Sequence, residues 1–141
     1  MPYSPLLVKP MKEELTSIGF KELLDSGAVD AAMGDIGTGM TFVVINAVSG
    51  TAAGIARPGV RIALENGSKR PDRLLTVFAE QDLEATARMR AHFADIPPSE
   101  PSFALFKDGE LVYFMPRHRI EGSDAQVVAS DLGAVFDEFG G

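Results

Sequence analysis

Thr41-Phe42-Val43-Val44-Ile45 runs apolar and β-branched with no polar alternation, and the small-residue stretch Asn46-Ala47-Val48-Ser49-Gly50-Thr51 follows it directly. A strand of that composition has no face to give to water, so it belongs inside a sheet covered by helices on both sides. Leu74-Leu75-Thr76-Val77-Phe78-Ala79 repeats the pattern. A helical stretch separates the two strands, which reads as a parallel pair joined by a right-handed crossover.

The other segments fill in around that pair. Leu6, Leu7, Met11, Leu15 and Ile18 fall at helical spacing and predict an amphipathic helix over 5–18, closed by Gly19. Residues 20–24 read as a short strand, after which Asp25 or Ser26 caps a helix running to about Met33. The glycines of Gly34–Gly39 lead into a strand, whereas a nucleotide-binding loop leads from a strand into a helix, so they read as a turn. Residues 51–65 are helical in composition and stop at Asn66-Gly67, with Pro58 expected to kink them. Leu83 to Phe93 reads as a helix that ends before Pro97-Pro98. Ser102–Phe106 and Glu110–Phe114 flank Lys107-Asp108-Gly109, and Asp-Gly between such runs signals a hairpin. Asp124–Phe139 closes the chain as a helix with Val127, Val128, Leu132, Val135, Phe136 and Phe139 on its apolar side.

The order, a helix and then β-α-β-α-β-α-β-β-α, predicts an α/β fold of three layers, α/β/α, around a mixed five-stranded sheet. This is a thioredoxin-like arrangement with an extra N-terminal helix. No internal repeat, linker or low-complexity segment interrupts it, so residues 1–141 read as one thioredoxin-like domain.

Charge and cysteine content narrow the function classes. With 20 acidic against 13 basic residues the net charge is −7, which argues against nucleic acid and against an anionic membrane surface as partners. The apolar run Leu6-Leu7-Val8 is too short for a signal-peptide core, so the cytoplasm is the expected compartment. The chain has no cysteine, which excludes a disulfide framework and a thiolate metal site. The two histidines, His92 and His118, are isolated in sequence and make no ligand set, so neither metal nor cofactor is expected.

Short blocks along nearly the whole chain resemble the bacilliredoxin family, thioredoxin-fold proteins with a Cys-Gly-Cys active site. They include Pro10-Met11-Lys12-Glu13-Glu14-Leu15-Thr16, Gly19-Phe20, Val44-Ile45-Asn46 and Ala52-Ala53-Gly54-Ile55-Ala56-Arg57-Pro58. Thr76-Val77-Phe78-Ala79, Gln81-Asp82, Glu84-Ala85-Thr86-Ala87 and Pro101-Ser102 continue the match, and Pro116-Arg117-His118 with Ile120-Glu121-Gly122 ends it. The resemblance implies thiol exchange linked to bacillithiol, or disulfide isomerisation, with a cis proline at Pro101 beside the active-site triplet. The departure lies at the chemistry, where Ser49-Gly50-Thr51 stands in the place of Cys-Gly-Cys. Serine is a usual trapping substitution for a thiol but threonine is not, and no other cysteine remains; a natural departure accounts for this better than an artificial one.

Exchange needs a thiolate to attack and a sulfur to be attacked, and a hydroxyl at neutral pH is neither. Ser49, Gly50 and Thr51 sit at a helix start, where free N–H groups and the helix dipole favour an anion; the alternative is a simple cap made by the Ser49 or Thr51 hydroxyl. Arg117-His118-Arg119 reads as a solvated basic turn, or as a carboxylate or phosphate contact. A serine-hydrolase reading fails for want of Gly-x-Ser-x-Gly, since Ala47 and Val48 precede Ser49. Two functions stay open. One is a redox-inactive binding domain whose groove of Ser49, Gly50, Thr51, Pro101, Arg117 and His118 takes a protein, a peptide or a low-molecular-weight thiol-type anion. The other is an enzyme of different, non-thiol chemistry at Ser49.

Overall fold

In the computed structural model, which describes residues 3–67 and 69–140, Met1, Pro2, Ser68 and Gly141 lie outside the described residues. The chain runs α1 (Pro5–Thr16), β1 (Lys21–Glu22), α2 (Ser26–Met33), β2 (Met40–Asn46), α3 (Arg57–Asn66), β3 (Arg73–Phe78), α4 (Leu83–Arg90), β4 (Ser102–Lys107), β5 (Glu110–Met115), α5 (Arg117–Glu121) and α6 (Ala125–Phe139). The strands form one five-stranded sheet in the order β1-β3-β2-β4-β5. β1, β3 and β2 are parallel, and the β4–β5 hairpin pairs antiparallel to β2.

β2 is the central strand that its composition predicts, and each residue from Met40 to Asn46 is buried. Its side chains alternate between two cores. Phe42 and Val44 pack with Leu15, Val60, Leu132 and Phe136, while Val43 and Ile45 pack with Val29, Met33 and Met89. Helices α1, α3 and α6 therefore cover one face of the sheet and α2 and α4 the other, which is the expected three-layer α/β arrangement. Phe42 is the hub of the first core, with ring centroids 6.1 Å from Phe20, 5.6 Å from Phe103 and 5.0 Å from Phe136.

Local chemistry sets the boundaries and corrects several expectations. α1 ends at Thr16, two residues short of the expected end; the closing turn runs through Gly19 at φ +109°, with Phe20 N–H donating to the Leu15 carbonyl. Its buried stripe is Val8 and Leu15, whereas Leu6 is 83% exposed, because a spacing of seven stacks Val8 and Leu15 and leaves Leu6 on the opposite side. The strand expected over 20–24 shrinks to Lys21–Glu22, since Asp25 at once turns the chain into α2 by accepting the Ala28 N–H at 2.8 Å. In α6, Val128, Leu132 and Phe136 repeat every four residues against the core, and Val127 faces outward.

Pro58 acts differently from a simple kink. Ala52–Ala56 form a turn of π-helix, and Arg57 N–H reaches back to the Ala52 carbonyl. The wider turn lies immediately before the proline that can donate no N–H, so the irregularity falls where the regular ladder would break. The helix predicted over Leu83–Phe93 likewise changes to a 3₁₀ turn at Ala91–Phe93. In the hairpin, Asp108 at φ +51° and Gly109 at φ +86° have the two positive angles that a type I′ turn requires.

Phe42→Ala is expected to lower the unfolding free energy by about 3–5 kcal/mol, because the three aromatic neighbours cannot collapse into the space left. Urea titration checks this; a loss below about 1 kcal/mol would mean that Phe42 is not the hub of that core.

Candidate functional site

The site is built at the carboxyl end of β2, and a buried charge holds it there. Arg57, 3% exposed, donates from one terminal nitrogen to Asn46 Oδ1 at 2.9 Å and to the Ala47 carbonyl at 2.7 Å. Its Nε lies 3.1 Å from Glu14 Oε1 on α1. Asn46 also accepts the Ala47 N–H at 2.9 Å and donates from Nδ2 to the Met11 carbonyl at 3.2 Å. A guanidinium removed from water is tolerated only where such partners meet it. Arg57 and Asn46 thus fasten the strand end, α1 and the following helix to one another.

Beyond that anchor the triplet opens a helix. Ser49 Oγ accepts the Ala52 N–H at 3.2 Å and the Ser49 carbonyl accepts the Ala53 N–H at 3.0 Å, which makes Ser49 the N-cap. Thr51 does not cap; its hydroxyl donates to Glu121 Oε2 at 3.1 Å. A Cβ built on Gly50 would meet nothing within 4 Å, so the surface above the triplet is open.

Three further elements converge on it. Ser102 pairs with Ile45, so Pro101 stands opposite the end of β2, and the Glu100–Pro101 peptide is cis as the resemblance implies. The loop before it is tied down by Ser102 Oγ donating to the Ser99 carbonyl at 3.0 Å and by an Arg90–Glu100 ion pair at 2.6 Å. Arg117 N–H donates to Ser99 Oγ at 3.2 Å, and the Arg117 Nε and terminal nitrogen both donate to Glu121 Oε2, at 3.2 and 3.1 Å. From the end of β3, Glu80 Oε1 accepts the Val48 N–H at 3.1 Å.

Ser49, Gly50, Thr51, Pro101 and Arg117 therefore come together. Arg119 does not join them: it lies over the Tyr113 ring, 5.9 Å from its centroid, and 4.0 Å from Asp131 on α6. His118 is exposed. The expected solvated turn at 117–119 is instead the first turn of α5, which follows Pro116 and is pinned by buried Ile120. Glu80, Glu121, Asn46 and Arg57 were not read from the sequence as site residues. Arg57 carried one usable signal, a lone charge directly after the small apolar run Ala52–Ala56.

The site's carboxylates are driven in opposite directions. Burial pushes the Glu80 carboxyl above its ordinary range and the charge of Glu100 adds to this, against the Val48 N–H and Arg117. Hydrogen bonds from Arg117 and then Thr51 pull Glu121 below its ordinary range. Grooves of about 530 Å³ between α3 and α6 and of about 360 Å³ along α1 are lined by other residues. Among the described residues no group of three or more His, Cys, Asp or Glu could hold a metal ion, and no helix is long and apolar enough to cross a membrane.

Comparison with known proteins gives this geometry its lineage. A family model described as disulphide isomerase matches residues 3–140. The chain is 50% identical over 141 residues to the bacilliredoxin of Salinibacter ruber, covering 100% of this chain and 83% of that one. It is 52% identical over 136 residues to the bacilliredoxin of Cytophaga hutchinsonii, covering 96% and 98% of the two. Fasciola hepatica thioredoxin superposes with a TM-score of 0.57 at 16% identity, over 85% of this chain and 99% of that one, a likeness of fold alone. The chain belongs to the bacilliredoxin family, and its active-site motif is degenerate, with no cysteine anywhere.

Glu80→Gln keeps an oxygen for the Val48 N–H and removes the charge. Because the folded state raises this carboxyl, Glu80 favours folding most at low pH and loses that contribution as pH rises through the raised value. The variant is therefore expected to melt at or slightly above the wild type at pH 7, with the difference closing toward pH 4. A variant that melts lower at pH 7 and equally at pH 4 would reverse the sign.

Proposed function

We propose that this family member is a binding protein without redox activity, which receives an extended segment of another protein across Ser49–Thr51, Glu100-Pro101 and Arg117. The observation that carries the reading is the pairing of an ordered site with absent chemistry. Ser49 and Thr51 stand at the helix start beside Pro101, held by a buried Arg57, and neither position holds sulfur. Every step of thiol–disulfide exchange passes through a covalent bond to a sulfur of the enzyme, so a chain of this composition cannot carry one out.

An open surface at the end of a β-strand suits an extended chain better than a small molecule, which needs a concavity to bury it. Non-thiol catalysis at Ser49 has less support. The Ser49 oxygen is engaged by the Ala52 N–H, and among the described residues no imidazole or carboxylate hydrogen-bonds to it. The reading also fits the cytoplasm, where low-molecular-weight thiols are kept reduced.

Purified protein is expected to show no insulin reduction and no resolution of a mixed disulfide above a protein-free blank. In ¹⁵N-labelled protein titrated with pooled hexapeptides, amide signals of residues 48–53, 99–102 and 116–121 are expected to move first. Turnover by a preparation free of other oxidoreductases, or a bound peptide that moves only α1 or the 34–39 loop, would overturn the reading.

A further inference from the structure

We infer that the groove selects a partner segment bearing a cationic side chain, and that Glu80 and Glu121 are the residues that turn anions away. This rests on the binding reading above and names its ligand class.

A helix start beside an arginine ordinarily offers donors to a carboxylate or phosphate. Here part of that donor set is already committed within the chain. Val48 N–H is held by Glu80 Oε1 at 3.1 Å, and Ala52 and Ala53 N–H by the Ser49 hydroxyl and carbonyl at 3.2 and 3.0 Å. The Arg117 guanidinium and the Thr51 hydroxyl all converge on one oxygen of Glu121, at 3.1–3.2 Å. An incoming anion that used Val48 N–H, Thr51 or Arg117 would have to displace an internal carboxylate, and anywhere in the site it would share the space with the charge of Glu80 and Glu121.

The ion pairs show what is missing. Glu100 has Arg90 at 2.6 Å and Glu121 has Arg117 at 3.1 Å. Glu80 has its backbone N–H, and among the described residues no cationic nitrogen lies within 4.0 Å of it. The site therefore has one more carboxylate than guanidinium. Burial and the charge of Glu100 both disfavour the ionised form of Glu80. A lysine or arginine of a bound segment would offset both by favouring the ionised carboxylate, and complementarity of this kind is what discriminates between partners at an interface.

The test uses two alanine–glycine pentapeptides that differ only in a central lysine or glutamate, followed by NMR of the intact protein, with sodium sulfate as a separate probe. The lysine peptide is expected to bind at least about tenfold more tightly, and Glu80→Gln to remove that preference. Sulfate is expected to leave the Val48–Ala53 amides of the wild type unmoved and to shift them in Glu80→Gln/Glu121→Gln. Equal binding of the two peptides, a glutamate preference, a lysine preference that survives in Glu80→Gln, or sulfate binding by the wild type at these amides would overturn the inference while leaving the groove in place. Failure of both peptides to bind would remove the groove itself and the inference with it.

Discussion

Burial of β2 on both faces is the constraint from which the rest of the molecule follows. The strand is paired along both edges, with β3 on one side and β4 on the other, and its side chains feed two cores. Its end at Asn46 is consequently fixed relative to Pro101 and to the start of the next helix. Arg57 completes that geometry from within, in a place where leaving such a charge unpartnered costs about 3–5 kcal/mol. The strand end that carries the triplet is thus held by groups outside the triplet, Asn46 and Arg57 among them. This is how a site can keep its form after losing its thiols.

The loss leaves a changed electrostatic setting. A helix start is intrinsically attractive to negative charge, and in this chain the protein itself places that charge nearby through Glu80 and Glu121, while the Ser49 hydroxyl caps one helix donor. The hydroxyls have become structural groups: Ser49 satisfies a helix donor, and Thr51 links the triplet to α5 through Glu121. Both bonds tie the site to its own scaffold.

Legibility in the sequence followed the range of the interactions involved. The central strand, the Asp108-Gly109 hairpin and a cap at Asp25 or Ser26 depend on residues adjacent in the chain and are readable from it, and the structure places the cap at Asp25. The buried side of α1 is not legible at Leu6 and Leu7, because apolar residues continue around the helix past the stripe that docks. The π-turn before Pro58 is not legible as a kind in the sequence, although the proline that breaks the regular ladder is. Glu80 and Glu121 were missed because their partners Val48 and Thr51 lie 32 and 70 residues away, and only the folded sheet brings them together. Arg119 parts from Arg117 for the same reason: Tyr113 and Asp131 draw it to another face.

The central claim is that the scaffold of a thiol site persists here and that sulfur alone is lacking. Its most direct test is thiol–disulfide exchange by Ser49→Cys/Thr51→Cys, measured on a mixed-disulfide substrate after circular dichroism has confirmed the fold. The account predicts turnover well above that of the unmodified chain, because the helix start, Pro101 and Arg57 are already in place to hold the two sulfurs. A folded double variant, fully reduced at the start and still inert, would contradict it.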